Sequence, residues 1–517
     1  MIRYKILWVD DEINHLKPHI LFLENKNYNI TTCTNGLDAL KIVKSNRFDI
    51  VLLDENMPGL NGLETLGELK KNRPELPVIM ITKNEEEHIM DDAIGSKISD
   101  YLIKPVNPNQ ILIALKKILK SKNLVDEKTI QSYQQEYRDI SNSLLEINSL
   151  NDWISMYQKL IYWELELEKL DDQVMFDIYK NQIKEANSQF SIFIERKYPN
   201  WIKANSDNPL LSNNIFKRKV LPFVKEDQST ILLLIDNLRL DQWKIISPII
   251  QEYYDLNEDG CYLSILPTAT QYSRNSFFSG MTPKQMQEKH PNWWKNDSDE
   301  GGKNLFESNF LESQLTLLNN KIKFSYNKIT SISGGKNLLK NIKNFKLENL
   351  TVVVYNFVDM ISHAKNEMEI IKELASDNKA YRSLTLSWFK NSPLFDFIQS
   401  ANNEGFRLFV TTDHGTINVE KPIEIKGKKE ISSNLRYKSG RSMSYENKKV
   451  VEVKNLNEFE LPKTFLDSSF IFAKNDDYFV YQNNYNHFAN LYKNSFQHGG
   501  ISMEEMIIPY ATFLPKK

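Results

Sequence analysis

Ile50-Val51-Leu52-Leu53-Asp54 is a run of four apolar residues that stops at a carboxylate, and its reading sets the fold of the first part of the chain. Outward from it, further strand-like runs stand at Tyr4–Val9, Asn29–Cys33, Pro77–Ile81 and Asp100–Ile103. Segments of helical length and periodicity separate them. This alternation predicts an α/β domain over residues 1–120, a five-stranded parallel sheet of the doubly wound type.

The ends of these runs carry the chemistry. Asp10 and Asp11 follow Lys5-Ile6-Leu7-Trp8-Val9, and Asp54 follows its own run. In an open parallel sheet, ligands gather at the carboxyl ends of the strands. Three carboxylates crowded there repel one another unless a cation lies between them. Oxygen-only ligands point to a hard ion such as Mg²⁺. Thr82 and Lys104 close the fourth and fifth runs, Lys104 just before Pro105. A hydroxyl and an ammonium at that edge would hold a phosphoryl group placed on Asp54. Any one of these residues carries little weight alone; the ordered set carries much more.

Val9-Asp10-Asp11-Glu12, Asp54-Glu55-Asn56-Met57-Pro58-Gly59, Thr82 and Asp100-Tyr101-Leu102-Ile103-Lys104-Pro105 resemble the receiver domain of bacterial response regulators. The resemblance implies phosphorylation of Asp54 by a sensor histidine kinase or a small phosphodonor. It also implies Mg²⁺ on Asp10, Asp11, Asp54 and the Asn56 carbonyl. Thr82 and Tyr101, with Lys104, would form the switch, and phosphorylation would bring two copies together as a homodimer through the face carrying Tyr101.

Residues 121–215 read differently, as a helical linker domain. Gln134–Leu150 and Trp153–Glu195 contain no Gly or Pro, and Leu160, Trp163, Leu167 and Leu170 recur at helical spacing. A helical segment of this size is most often a spacer. From 216 to 517 the α/β pattern returns, with buried-strand candidates at Ile231–Ile235, Thr351–Asn356 and Arg407–Thr411. The segment 416–450 holds nine Lys/Arg against four Glu and reads as a polar insertion or lid.

Composition narrows the function classes. The 517 residues hold 65 Lys and Arg against 67 Asp and Glu, a net charge of −2, which gives no support for whole-chain attachment to nucleic acid or an anionic membrane. Two cysteines, Cys33 and Cys261, make no disulfide framework. No signal peptide and no membrane-length apolar run is found, so a cytoplasmic protein is expected.

In the third region Asp236 ends its strand-like run, Asp359 and His363 follow the second, and Asp413 and His414 follow the third. His498 lies in Gln497-His498-Gly499-Gly500. A lone Asp after a strand is more often a helix cap than a ligand, but the set recurs strand by strand. Mixed carboxylate and imidazole donors suit Zn²⁺, with Mn²⁺ also compatible. Three Asp and three His suffice for two ions, which could grip both oxygens of an in-line phosphoryl displacement. Leu266–Ser276 supplies hydroxyls and one arginine, so a threonine alkoxide is the candidate nucleophile.

Leu234-Ile235-Asp236-Asn237-Leu238-Arg239, Pro267-Thr268-Ala269-Thr270 with Ser273-Arg274-Asn275, and Thr412-Asp413-His414-Gly415 resemble the PglZ-type branch of the alkaline phosphatase superfamily. The resemblance implies one zinc on Asp236, Thr270, Asp413 and His414 and a second on Asp359, His363 and His498. Thr270 would be the nucleophile in preference to Thr268, with Arg274 and Asn275 gripping nonbridging oxygens. Receiver, helical segment and PglZ-like domain together resemble PorX-family response regulators. That implies a role in type IX secretion and an extracytoplasmic-function sigma factor as partner. The expectation is a zinc-dependent phosphodiesterase on nucleotide or oligonucleotide substrates, the basic insertion tracking the backbone. The competing expectation is a non-catalytic platform that binds the sigma factor. Direct promoter binding is disfavoured, because no helix-turn-helix or basic recognition stretch is found.

Overall fold

Five parallel strands build the first sheet in the computed structural model, which describes residues 4–83, 98–119, 121–170, 172–203, 208–356, 358, 375, 377–427, 432–465 and 467–516. The chain divides into two compact units, Met1–Gln134 and Gln135–Lys517. In the first, β1 (Tyr4–Val9), β2 (Tyr28–Cys33), β3 (Ile50–Asp54), β4 (Val78–Thr82) and β5 (Asp100–Ile103) lie in the order β2-β1-β3-β4-β5. Every pair is parallel.

Successive side chains of a strand point to opposite faces. Leu7, Val9, Val51 and Leu53 therefore meet Ala39 and Val43 of α2 (Gly36–Ser45) and Leu66 and Leu69 of α3 (Gly62–Asn72). Ile6, Trp8, Ile50 and Leu52 meet Leu23 of α1 (Lys17–Glu24) and Ile111 and Leu115 of α4 (Pro108–Leu119). Burial on both faces is why the strands read as unbroken apolar runs. The fourth strand starts one residue later than its sequence run, because Pro77 has no N–H and contributes only its carbonyl, which accepts from Val51 N at 3.0 Å. Asn61 and Glu64 cap α3 reciprocally. Gly62 is obligatory at its start: a Cβ there would lie 2.4 Å from the Asp54 carbonyl oxygen.

The second unit opens with helices and then builds a larger sheet. The polar stretch read as one helical segment breaks into α5 (Leu150–Leu167) and α6 (Gln173–Lys203), because Asp172 accepts from Met175 N at 3.0 Å and starts a new helix. Trp153 of α5 packs edge-on against Phe190 of α6, centroids 5.3 Å apart. Strands β6 (Thr230–Ile235), β7 (Tyr254–Leu263), β8 (Phe324–Ile329), β9 (Leu350–Tyr355) and β10 (Arg407–Thr411) follow. Then come β11 (Ile417–Asn418), β12 (Lys421–Ile425), β13 (Tyr437–Gly440), β14 (Val450–Val453), β15 (Ser469–Ala473), β16 (Asp477–Tyr481) and β17 (Phe496–Gln497), and last β18 (Ile507–Pro515). The main sheet runs β7-β18-β10-β6-β9-β8. β18 is antiparallel to both neighbours, while β10, β6, β9 and β8 pair in parallel.

The described residues of the polar segment 416–450 belong to a built module with its own core. Strands β11 to β17 form three small sheets around a core that includes Ile423, Ile425, Val450, Ile471 and Phe479. Two of its basic residues, Arg436 and Lys438, are fully buried. Arg436 pairs with Glu505 at 2.6 Å and Lys438 donates to the Ser432 carbonyl at 2.9 Å. Both face inward, Arg436 onto Glu505 and Lys438 over the Tyr481 ring, so they present no charge to a bound backbone. Among the described residues, no helix is long and apolar enough to cross a membrane.

Candidate metal centres at two sheet edges

The parallel order of the first sheet delivers Asp10, Asp54, Thr82 and Lys104 to one edge. Ligand oxygens of Asp10, Asp11 and Asp54 lie within 4.8 Å of one another. Asp10 and Asp54 are buried and Asp11 is exposed. Lys104 stands between the buried pair, 2.9 Å from Asp10 and 3.0 Å from Asp54. Burial pushes the Asp54 carboxyl up to about 6; Asp10 and Asp11 push the same way, against Lys104. Burial opposes the Lys104 charge, but Asp10 and Asp54 outweigh it and hold the ammonium above the ordinary lysine range. Asn56 lies in the exposed loop after β3, and Tyr101 on β5 is partly exposed. Thr82 donates to the buried Glu55 carboxylate, a partner the sequence did not single out. A donor set of three carboxylates with open solvent on the Asp11 side fits a hydrated Mg²⁺.

In the second unit Asp236 follows β6 and Asp413 follows the adjacent β10. Asp236, Asp413 and His414 are all fully buried, with ligand atoms within 4.8 Å of one another. Asn237 takes a left-handed conformation, φ 63°, and its N–H donates to Asp413 at 3.2 Å, while Leu238 N donates to Thr412 Oγ1 at 3.0 Å. The two ligand loops are thus latched together, backbone N–H groups of one onto side chains of the other. Thr270 Oγ1 lies 3.0 Å from His414 Nε2. It is the first residue of α8 (Thr270–Ser279), where the helix dipole and N–H groups favour an anion. Thr268 is buried and otherwise engaged: it donates to the Gly500 carbonyl at 2.9 Å and accepts from Gly499 N at 3.0 Å.

The tautomers follow from the carbonyls. A carbonyl only accepts, so His414 donates from Nδ1 to Gly415 O at 3.0 Å, and in the neutral ring the lone pair is on Nε2. His498 likewise donates from Nδ1 to Thr268 O at 3.1 Å. The two rings stack 4.2 Å apart. Nδ1 bound to a carbonyl with Nε2 turned inward is the arrangement that orients metal-ligating histidines. Two buried carboxylates, a preset Nε2 and a hydroxyl therefore fit a tetrahedral zinc-type centre. Asp359 and His363, the other residues expected with His498, lie outside the described residues.

Arg274 sits where a substrate-gripping arginine was expected, but its guanidinium is committed inside the protein. It is 1 % exposed, donates to Asp236 Oδ2 at 2.6 Å and to Glu307, and lies 3.7 Å from Asp413. Burial opposes its charge, yet Asp236, Glu307 and Asp413 together keep it firmly protonated. Glu307, which the sequence did not flag, is fixed in turn by Tyr326 and by Lys328 at 3.0 Å. Asn275 is also buried, donating to Gln271 O at 2.9 Å and Lys303 O at 3.2 Å.

Three family models match this chain. That of the response regulator receiver domain covers residues 6–116. That of the PorX response regulator linker domain covers 123–202, and that of the BREX system PglZ alkaline phosphatase-like domain covers 215–513. The transcriptional regulatory protein ZraR of Klebsiella oxytoca is 31% identical over 138 residues, 27% of this chain, and the match spans 31% of that relative's length. The probable transcriptional regulator ycf27 of Cyanidium caldarium is 30% identical over 192 residues, 37% of this chain and 72% of its own. A CheY-like response regulator receiver domain protein from Methanospirillum hungatei JF-1 is 26% identical with a TM-score of 0.23, covering 24% of this chain and 98% of that one.

Proposed function

The chain belongs to the PglZ alkaline phosphatase-like family, in the receiver–linker–PglZ order of a PorX-type response regulator, and from that premise we propose that its output is a zinc-dependent phosphodiesterase governed by phosphorylation of Asp54. The observation that carries this reading is the approach of Thr270 Oγ1 to within 3.0 Å of His414 Nε2, beside Asp236 and Asp413. Asp236, Asp413 and His414 with Thr270 would hold one zinc, His498 with Asp359 and His363 would hold a second, and the pair would supply Lewis-acid charge at that point.

The chain's own groups do the rest. The start of α8 receives the anionic phosphodiester, and Thr270 Oγ attacks phosphorus in line as the leaving alcohol departs. The hydroxyl proton of Thr270 leaves with that alcohol, and water then breaks the Oγ–P bond, releasing a phosphomonoester and restoring the Thr270 hydroxyl. Arg274 and Glu307 hold the Asp236 carboxylate in one orientation, a positioning role in place of the oxygen grip expected from sequence. Exposed Lys421, Lys426, Lys448 and Lys449 of the inserted module favour a nucleotide or oligonucleotide substrate.

In the first unit Asp10, Asp11, Asp54 and the Asn56 carbonyl would hold Mg²⁺ while a sensor histidine kinase or a small donor phosphorylates Asp54. Lys104 would take the phosphoryl charge, and Thr82 and Tyr101 would report it. Phosphorylated copies pair through the Tyr101 face. The PorX-type architecture supports a cytoplasmic role in controlling type IX secretion, with an extracytoplasmic-function sigma factor as partner. The deciding experiment is Thr270→Ala: hydrolysis of a chromogenic phosphodiester falls to background while zinc content is retained. Turnover that survives rejects the nucleophile. Light scattering with and without beryllofluoride tests pairing, and an unchanged mass rejects it.

A further inference from the structure

The helical module ahead of the main sheet does more than space two ends of the chain. Glu164 of α5 is buried and accepts from Arg382 at 3.1 Å and from Asn378 at 3.2 Å, both on α9 (Asn378–Lys390). Arg382 also binds Glu168, which caps the end of α5, and Asp241 at the start of α7 (Leu240–Ile250). Asp241 in turn receives two bonds from Arg239, one at 2.7 Å from Nε. Arg239 stands three residues beyond Asp236. A continuous buried chain of charges thus runs from α5 to the turn that carries the first metal ligand.

A second chain reaches the other ligand loop from α6. Asn187 is buried and donates to both Glu504 oxygens, at 3.2 and 3.0 Å, while its own oxygen accepts from Met503 N at 2.8 Å. The Glu504 backbone packs so closely on Gly415 that a Cβ there would lie 2.0 Å from its carbonyl oxygen, and Gly415 N donates to Glu505 O at 3.0 Å. Gly415 follows His414 directly. Both ligand loops, already latched to each other, are therefore backed from behind by one helical pair.

We infer that α5 and α6 are positioning elements of the reaction centre, with Glu164 and Asn187 setting the Asp236 turn and the His414 loop at their working separation. This rests on the reading of Asp236, Asp413 and His414 as the reaction centre. Neither residue touches the reacting atoms; each acts through a buried intermediary, Arg382–Asp241–Arg239 on one side and Glu504–Gly415 on the other. Small displacements of reacting groups are costly, about a hundredfold per ångström. A module packed this way is a lever on the site.

The test uses the full chain with two independent variants, Glu164→Gln and Asn187→Ala, and exposed Val174→Ser on α6 as control. Each variant is expected to lower kcat on a chromogenic phosphodiester roughly ten- to a hundredfold with KM within about twofold. Each weakens zinc binding about tenfold in chelator competition, and backbone amides of 236–242 and 412–416 exchange faster. Val174→Ser matches wild type. A folded variant that only melts earlier, with kcat, zinc affinity and loop exchange unchanged, overturns the inference. Should Glu164→Gln unfold by stranding Arg382, or Asn187→Ala by leaving the Glu504 carboxylate without its amide donors, the other variant decides, and Asn187→Ala combined with Glu504→Gln removes the stranded charge. Should the wild type hydrolyse nothing, the phosphodiesterase reading falls, and zinc affinity with loop exchange still decides this one.

Discussion

Two carboxylate clusters, one at each sheet edge, solve the same electrostatic problem with different cations. Asp10 and Asp54 share Lys104, an ammonium on a flexible stem that is 14 % exposed. Asp236 and Asp413 share Arg274, which is 1 % exposed and pinned by Glu307. Lysine is a point charge that swings between partners, whereas arginine's planar fork holds a fixed geometry. On the function proposed above, the first edge would exchange one arrangement of charge for another when Asp54 acquires a phosphoryl group, and the second would stay still while substrate changes around it. Mobility in the cation would then mark the switch, and rigidity the reaction centre.

Exchanging the cations attacks that contrast directly. Arg274→Lys keeps the charge but cannot bond Asp236 and Glu307 together, so turnover of a phosphodiester should fall by about two orders of magnitude while the protein stays folded. Retained turnover would show that the fork is dispensable. The converse change, Lys104→Arg, should be milder: a bulkier, less mobile cation slows acquisition of phosphate by Asp54 about tenfold, read by phosphate-affinity electrophoresis with acetyl phosphate. An effect as large as that of Arg274→Lys would erase the distinction between a mobile and a fixed counter-charge.

The two edges were legible to different degrees. Asp10, Asp54, Asp236 and Asp413 announce themselves because parallel strands deliver their last residues to one edge, so a carboxylate after an apolar run has a known address. Lys104 is legible for the same reason. Glu307 is not, since its bond to Arg274 spans 33 residues of chain and exists only once the fold has formed. Glu164 left a fainter trace: it falls among Leu160, Ile161, Trp163 and Leu167, a charge inside an otherwise apolar stripe. Asn187 left none. The insertion misleads most, because composition counts nine cations without saying which face inward.

A buried lysine without carboxylates gives the smallest and cleanest test of what company does to a cation. Lys104, between two carboxylates, is held above the ordinary range, whereas Lys438 hydrogen-bonds one carbonyl and lies 4.6 Å from the Tyr481 ring. Burial pushes Lys438 down to about 7, with Asp297 opposing weakly. The unfolded chain holds that proton up to about 10.4, so between these values the unfolded state binds more protons and stability rises with pH. The slope is roughly 1.4 kcal/mol per pH unit. Lys438→Met removes the buried ammonium. Its melting point should exceed wild type by several degrees at pH 7, as expected for roughly 3–4 kcal/mol net of the lost hydrogen bond. That advantage should shrink steadily as the pH rises to about 10.4, above which the wild-type amine is neutral in both states. An advantage that stays constant with pH would mean that Lys438 keeps its proton, and that burial alone does not separate the two lysines.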